Sequence, residues 1–408
     1  MSQHGKNNVK QRCASEESKW FVFTSIYIVL DYARIYQELH LGFLRPLLLM
    51  TLLLTYYIVN SGEYYKAKSK QTTYMWLFIA LMACYIPFVR NNYYAYITTK
   101  SQLLYMPFII SIIITVNSIG RLKKFIFLLI CIEIYIAIYA FLHGGFGPGN
   151  YFLDENDLSL YLNMWLPFCY FLFFAFKNKI KKLLCLTGLV IGLLSIVVSF
   201  SRGGFVGLVG MSFVLWLFSK KKILSFFLIL FLSGLLFVFA GEEYWAEINT
   251  TTNTEEGTAR GRIESWKSSW RMFLDNPLGV GPGNFMVMFP EYQSDFFSRG
   301  MWGRVAHSLY FTLLPELGIV GIYIFLSLLY YNVKDIFRLK NIQIDEYDEN
   351  KKFLNYMGRA FIASLTGYFA SATFISVLYY AHYWYLLGII IATVNISSKY
   401  LDTNLINT

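Results

Sequence analysis

Apolar residues run through this chain in long blocks, without the 3.6-residue spacing of a half-buried surface helix, and short polar runs separate the blocks. A block of about 20 apolar residues crosses the hydrocarbon core of a bilayer as an α-helix, because each backbone polar group then bonds inside its own segment. The pattern predicts about twelve such spans, at 20–37, 43–60, 73–89, 102–119, 125–142, 158–176, 183–200, 205–218, 223–240, 308–331, 358–379 and 383–398. The expected architecture is an all-α polytopic membrane protein of about twelve transmembrane helices with one large extramembrane loop between spans 9 and 10. In order, the chain divides into a cytoplasmic leader (1–19), transmembrane helices 1–9 (20–240), the large loop with an amphipathic helix (241–307), and helices 10–12 with a cytoplasmic tail (308–408).

Composition agrees with the pattern. The chain is 56% hydrophobic and 15% charged, against about 45–50% and about 25% in soluble domains. The net charge of +10 does not indicate nucleic acid, because the basic residues lie in short runs between spans, where membrane topology places them. Five cysteines without a CxxC pair give neither a disulfide scaffold nor a cysteine metal site. Most of the 35 Lys and Arg fall in alternate loops, in runs such as Lys220-Lys221-Lys222. The positive-inside bias therefore puts both termini in the cytoplasm and the 241–307 loop outside.

The cations on the two sides differ in kind. Those inside are mainly Lys, whereas Arg34, Arg45, Arg90, Arg202, Arg260, Arg262, Arg271, Arg299 and Arg304 are assigned outside. A guanidinium is a planar fork matched to phosphate or carboxylate, so arginine kept on the outer face suggests anion binding there. Four outer-face features stand out. Ser201-Arg202-Gly203-Gly204 sets a guanidinium beside backbone that an anion can approach, although a boundary Arg can also simply snorkel. Residues 262–274 read as an amphipathic helix with Ile263, Trp266, Trp270, Phe273 and Leu274 on its apolar stripe, lying on the membrane or on the bundle. Arg260 and Arg262 stand at its start, and two residues apart they diverge by about 200°, so both reach one ligand only if the helix begins at Gly261 or later. Asn276-Pro277-Leu278-Gly279-Val280-Gly281-Pro282-Gly283-Asn284 is not a nucleotide loop, since no strand precedes it and no GK[ST] follows; it shapes the chain after the helix. His307 stands where the large loop re-enters the membrane, and no histidine spacing suggests a metal.

Arginines plus one histidine suit transfer of a glycan from a polyprenyl pyrophosphate. The leaving group is a weak base that needs no general acid. What remains is to neutralise the diphosphate, which arginines can do, and to take the proton of the attacking hydroxyl, which a histidine can do. No cofactor or metal is needed.

The same residues carry a resemblance. Ser201-Arg202-Gly203-Gly204, then Arg262, Trp266, Asn276-Pro277 and Gly279-Val280-Gly281, then His307-Ser308-Leu309-Tyr310-Phe311 with Glu316-Leu317-Gly318 and Gly321, resemble the O-antigen ligase/O-antigen polymerase superfamily of bacterial membrane glycosyltransferases. Leu30-Asp31-Tyr32-Ala33-Arg34, Leu44-Arg45-Pro46 and Asp154-Glu155-Asn156-Asp157-Leu158 look like the O-glycosylation ligases associated with exosortase-A systems, with Ile35-Tyr36 a departure from that pattern. The resemblance implies metal-independent transfer from undecaprenyl pyrophosphate. Arg202 and Arg262 would bind the pyrophosphate and His307 would activate or orient the acceptor hydroxyl, with Arg34, Arg45 and Tyr310 as further substrate contacts; Arg260, which matches no fixed motif position, is a candidate third cation. The implied partners are a lipid-linked glycan donor, a glycan, lipid or protein acceptor, and membrane lipids. A polymerase would use the same chemistry. A twelve-span transporter or flippase is the more distant alternative; it calls for two related halves, which the asymmetric loop does not suggest.

Overall fold

The computed structural model describes residues 19–152, 154–219, 222–223, 257–295, 303–345 and 347–406. The helices are α1 (19–33), α2 (Pro46–Ser61), α3 (Lys70–Tyr85), α4 (Asn92–Thr115), α5 (Ile119–Leu142), α6 (Glu155–Ala175), α7 (Lys179–Val198), α8 (Arg202–Phe218), α9 (Gly257–Asp275), α10 (Phe285–Tyr292), α11 (Leu309–Lys340), α12 (Glu349–Ser371) and α13 (Ala381–Ile406). No strand occurs among the described residues.

A helix lies at every predicted span except the ninth, whose 223–240 falls outside the described residues beyond its first position. Among the described residues seven helices are long and apolar enough to cross a membrane: those at Leu41–Ser61, Asn92–Thr115, Ile119–Leu142, Glu155–Ala175, Lys179–Val198, Leu309–Lys340 and Ala381–Asp402. The differences from the predicted spans have local causes. The first span, expected to reach residue 37, stops at 33 because Arg34 turns left-handed at φ 49°. The third is the 16-residue α3, ending at Tyr85. The eighth is the 17-residue α8. The eleventh starts earlier than 358, at Glu349, and takes Lys351, Lys352 and Arg359 into its helix.

Helix α6 is the centre of the bundle. It packs against α5, α7, α8 and α12, and 78% of its apolar window is buried, so it meets protein on nearly every side. Lipid tails are as apolar as leucine, so helices in a bilayer associate through close packing, which small residues allow. Here α8 closes on α6 and α12 through Gly203, Gly204 and Gly207; a Cβ at Gly207 would stand 2.6 Å from Asn163 Nδ2. That amide donates to Gly204 O at 2.7 Å and to Ser371 Oγ at 3.2 Å, tying three helices at one point. Gly188 and Gly192 of α7 make room for Glu133 of α5, whose carboxylate accepts from Cys169 Sγ at 3.6 Å. Glu133 is thus a buried hydrogen-bonded acid between helices, as a structural role requires.

Helix α11 is broken, and the break anchors the glycine-rich segment. Gly318 sits at φ 60°, ψ −162°, a region open essentially to glycine alone. The interruption exposes backbone that pairs with the chain after α9: Val280 N donates to Pro315 O and Gly281 N to Glu316 O, both at 2.8 Å, and Ile319 N donates to Pro277 O at 2.9 Å. The buried Glu316 carboxylate accepts Gly283 N at 2.8 Å, Phe285 N at 3.1 Å and the Tyr379 hydroxyl at 2.7 Å. Tyr85 adds a hydrogen bond to Leu278 O. The approach leaves no room for side chains, since a Cβ at Gly279 would lie 2.7 Å from Glu316 O and one at Gly318 2.5 Å from Leu278 O. Gly318→Ala is expected to destabilise the protein by about 1–3 kcal/mol. Thermal unfolding in detergent should show a clearly lower midpoint; an unchanged midpoint would mean that the segment is not docked into the break.

Candidate active site

Helices α6, α8, α11 and α13 all begin at one end of the bundle: Ser201 before α8 bonds Asn156 of α6, Tyr380 before α13 bonds Asp157 of α6, and Thr312 of α11 bonds Ser376 in the chain leading to α13. Each start carries unsatisfied N–H groups and the positive end of a helix dipole, so this end favours an anion before any charged side chain is counted. Ser201 caps α8 by accepting Gly204 N at 2.8 Å, and its hydroxyl donates to Asn156 Oδ1 at 2.8 Å. Asp154 caps α6 by accepting Asn156 N at 2.7 Å. Arg202 therefore occupies the first position of α8, with Gly203 against Asn156 and Phe374.

Helix α9 brings the second cation. Its protein-facing side consists of Gly261, Ser265, Ser268, Ser269 and Met272, while Ile263, Trp270 and Leu274 of the expected apolar stripe are exposed. Of the two contacts left open by the sequence, the bundle takes the serine face. Small serines let α9 come close to the re-entering chain and hold it. Trp266 Nε1 donates to Ala306 O at 3.1 Å, Ser269 Oγ donates to Phe311 O at 2.5 Å, and the Trp266 ring stacks on Phe311 at 5.1 Å. Between these clamps His307 is held at φ 49°, a left-handed conformation uncommon for a non-glycine residue.

The result is a cluster of like charges. Arg262 is half-buried, and its basicity is lowered first by burial and then by Arg202, with Arg304 adding to the effect and Asp154 and Glu155 opposing it. The guanidinium stays charged, so the repulsion is kept rather than relieved by losing a proton. His307 is pushed down to about 4 by burial, then by Arg304 and Arg262, with Asp154 opposing. It is thus neutral at neutral pH and can accept a proton. Among the described residues no hydrogen bond reaches its side chain. No group of three or more His, Cys, Asp or Glu able to hold a metal occurs among the described residues either.

Of the residues expected at the site, Arg262 lies within electrostatic reach of both Arg202 and His307. Arg260 is exposed; because α9 begins at Gly257, upstream of Gly261, it points about 200° away from Arg262. Arg34 belongs to a neighbouring layer, paired with Asp31 at 3.3 Å and lying over the Tyr151 ring at 4.5 Å. That layer continues toward the site through Tyr151 and Tyr380, whose hydroxyl reaches Asp157 Oδ2 at 3.5 Å. Arg45 is exposed at the start of α2. Tyr310 donates its hydroxyl to Phe369 O at 3.0 Å, and it lines an apolar cavity with Leu329, Val333 and Ile362, away from the site's cations. Arg299 lies outside the described residues.

Arg304 and Asp154 are the additions. In the sequence Arg304 figures only as one of the nine outer-face arginines, and Asp154 only as a position of the Asp154-Glu155-Asn156-Asp157-Leu158 likeness.

Residues 187–326 match the family model described as O-antigen ligase. The match takes in Arg202, Arg262, Arg304 and His307, and it covers both the break in α11 and the segment docked into it. No curated protein matches the chain.

Proposed function

We propose that this chain, whose residues 187–326 match the family model described as O-antigen ligase and whose described helices include several long and apolar enough to cross a membrane, transfers a glycan from a polyprenyl pyrophosphate to an acceptor hydroxyl at the periplasmic face of the inner membrane. The observation that carries this reading is the Arg202–Arg262–His307 cluster, where cations and a neutral base share one partly buried site. Charge counting supports the orientation, with both termini cytoplasmic and the cluster outside.

In this reading the acceptor oxygen attacks the anomeric carbon and the bond from that carbon to the diphosphate oxygen breaks. The electron pair leaves with the diphosphate, whose charge Arg202 and Arg262 neutralise at the edge of the low-dielectric layer. His307 takes the acceptor proton and later returns it to water. A base near 4 is weak, and the arginines that help depress it are the groups that a bound diphosphate would neutralise. Seating the donor therefore strengthens His307 as a base, which favours donor binding before acceptor attack. Ligase and polymerase readings share every step and differ only in the acceptor; the exosortase-associated likeness favours a ligase of the O-glycosylation type. The exposed Ile263, Trp270 and Leu274, beside exposed Lys267 and Arg271, fit α9 lying against the lipid headgroups next to the donor.

The test is transfer by the full chain in proteoliposomes from a polyprenyl-pyrophosphate-linked glycan. Transfer is expected to continue in excess EDTA at an unchanged rate, because arginines do the work of a divalent ion. Loss of transfer in EDTA with recovery on adding Mg²⁺ would contradict the arginine mechanism.

A further inference from the structure

We propose that the groove between α11 and α12 binds an anionic phospholipid, with the phosphate held by Lys340 and Arg359 and an acyl chain lying along the groove. Lys340 ends α11 and His307 precedes its start, so the site is separate from the proposed glycan chemistry and stands without it.

The groove is made by two stripes at helical spacing. Val333, Ile336 and Phe337 of α11 and Ile362, Thr366 and Phe369 of α12 line a cavity of 450 Å³. One turn further along, each stripe ends on a cation: Lys340 follows Phe337 by three residues, and Arg359 precedes Ile362 by three. Gly358 brings the two ends level, since a Cβ there would collide with Lys340 N. Asn355 Nδ2 fixes the contact by donating to Lys340 O at 2.6 Å and to Ile342 O at 2.8 Å.

The last turn of α8 closes this end. Lys340 Nζ lies 5.9 Å from the centre of the Phe218 ring, and Arg359 Cζ lies 5.7 Å from the same centre. Ring faces attract cations but carry no net charge, so two like charges stay uncompensated side by side. Among the described residues neither side chain has an ion pair, and the buried Arg359 Nε has no hydrogen-bond partner. Neighbouring cations at this end are paired: Arg338 with Asp335 at 3.1 Å, Lys351 with Asp348 at 3.9 Å and Lys177 with Glu349 at 2.5 Å. Topology alone asks only for positive charge on this side, and a snorkelling residue would turn its head out to water. Lys340 and Arg359 are instead half-buried at the mouth of an apolar groove.

That combination fits an anion with an apolar tail. Charge counting assigns this end to the cytoplasmic side, where basic pockets between helices take anionic lipid headgroups. A soluble anion would use the cations and leave the groove empty. The polyprenyl chain of a donor would enter past Tyr310, at the other end of the groove, and leave the cations unused.

The test titrates the full chain in detergent with phosphatidylglycerol or with phosphatidylcholine of the same acyl chains, and reads retained lipid by native mass spectrometry. Phosphatidylglycerol should bind about ten- to thirtyfold more tightly, the scale of two cations near a lipid phosphate. Arg359→Gln and Lys340→Gln should each weaken it about fivefold and leave phosphatidylcholine unchanged. Val333→Trp, which fills the groove from an exposed position, should weaken both lipids alike. Lys334→Gln removes an exposed charge outside the groove and should change neither.

Equal binding of the two lipids by wild type would overturn the proposal. A loss in Lys334→Gln as large as in Arg359→Gln would also overturn it, leaving only a general attraction to the surface. Displacement of phosphatidylglycerol by inorganic phosphate at equal concentration would assign the cations to a free anion. Displacement of both lipids by a polyprenyl phosphate, unaffected by Arg359→Gln and Lys340→Gln, would assign the groove to the donor's chain; either result contradicts the proposal. If Arg359→Gln does not fold, wild-type lipid selectivity in Lys340→Gln would overturn it equally. Failure of the ligase reading looks different: the chain would keep this lipid selectivity and transfer no glycan.

Discussion

His307→Ala is expected to lose transfer by about 10²- to 10⁴-fold, the range associated with a positioned general base, while inserting and folding like the wild type. The residue caps no helix, makes no side-chain hydrogen bond to the described residues, and is held through its backbone by the Trp266 and Ser269 clamps on either side. Truncation thus removes the base and leaves the clamp. The pH profile should be equally informative. In the free protein His307 sits near 4, held down by burial and by Arg304 and Arg262. The active neutral form then exists above that pH and disappears as pH falls through it. The acid limb of kcat/KM, which reports the free enzyme, should lie near 4, and that of kcat should lie higher because bound diphosphate cancels the arginine field. Full activity of His307→Ala, or an acid limb at the same pH in both profiles, would assign His307 a structural part only.

Arg262→Lys is the second large effect. It keeps the charge and a similar length but replaces a rigid fork by a single ammonium. If Arg262 stabilises the departing diphosphate, the loss should be about 10²- to 10³-fold and should fall mainly on kcat, because the diphosphate charge is greatest as the glycosidic bond breaks. The half-buried position of Arg262 beside Arg202 strengthens this expectation, since a more strongly hydrated ammonium is harder to hold there. Steady-state rates at saturating donor decide it. A variant with wild-type kcat would remove Arg262 from the leaving-group site.

Arg202 and His307 stand out in the sequence because each lies where the chain changes solvent, and Arg262 because it opens the amphipathic segment. Arg202 begins a helix after Ser201, and His307 precedes Ser308, which caps α11 by accepting Phe311 N. Spans were legible for the same reason, because hydrocarbon imposes composition on any segment that crosses it. What stayed hidden depends on contacts between distant segments. The sequence left open whether the apolar stripe of α9 meets membrane or bundle; the serines and Trp266 pack on the protein, while Ile263, Trp270 and Leu274 stay exposed. The glycines at 279–283 suggested only a turn, whereas their positive φ angles let the chain pair with the break at Gly318. Arg304 carries no periodic or motif signal, and its seat on Gly261 and Ser265 exists only once α9 and the re-entering chain are side by side. The first span failed at its end for a backbone reason, the left-handed Arg34, that hydropathy does not encode.

The most direct test of the central claim is an accounting of the lipid carrier. The full chain is reconstituted with polyprenyl-pyrophosphate-linked glycan and an acceptor, and free polyprenyl pyrophosphate and glycosylated acceptor are quantified by mass spectrometry over time. A glycan transferase should release one polyprenyl pyrophosphate for each glycan moved, and Arg262→Lys and His307→Ala should slow both products together. Donor that crosses the bilayer with its glycan still attached, and no free carrier, would contradict transferase chemistry and identify the chain as a transporter.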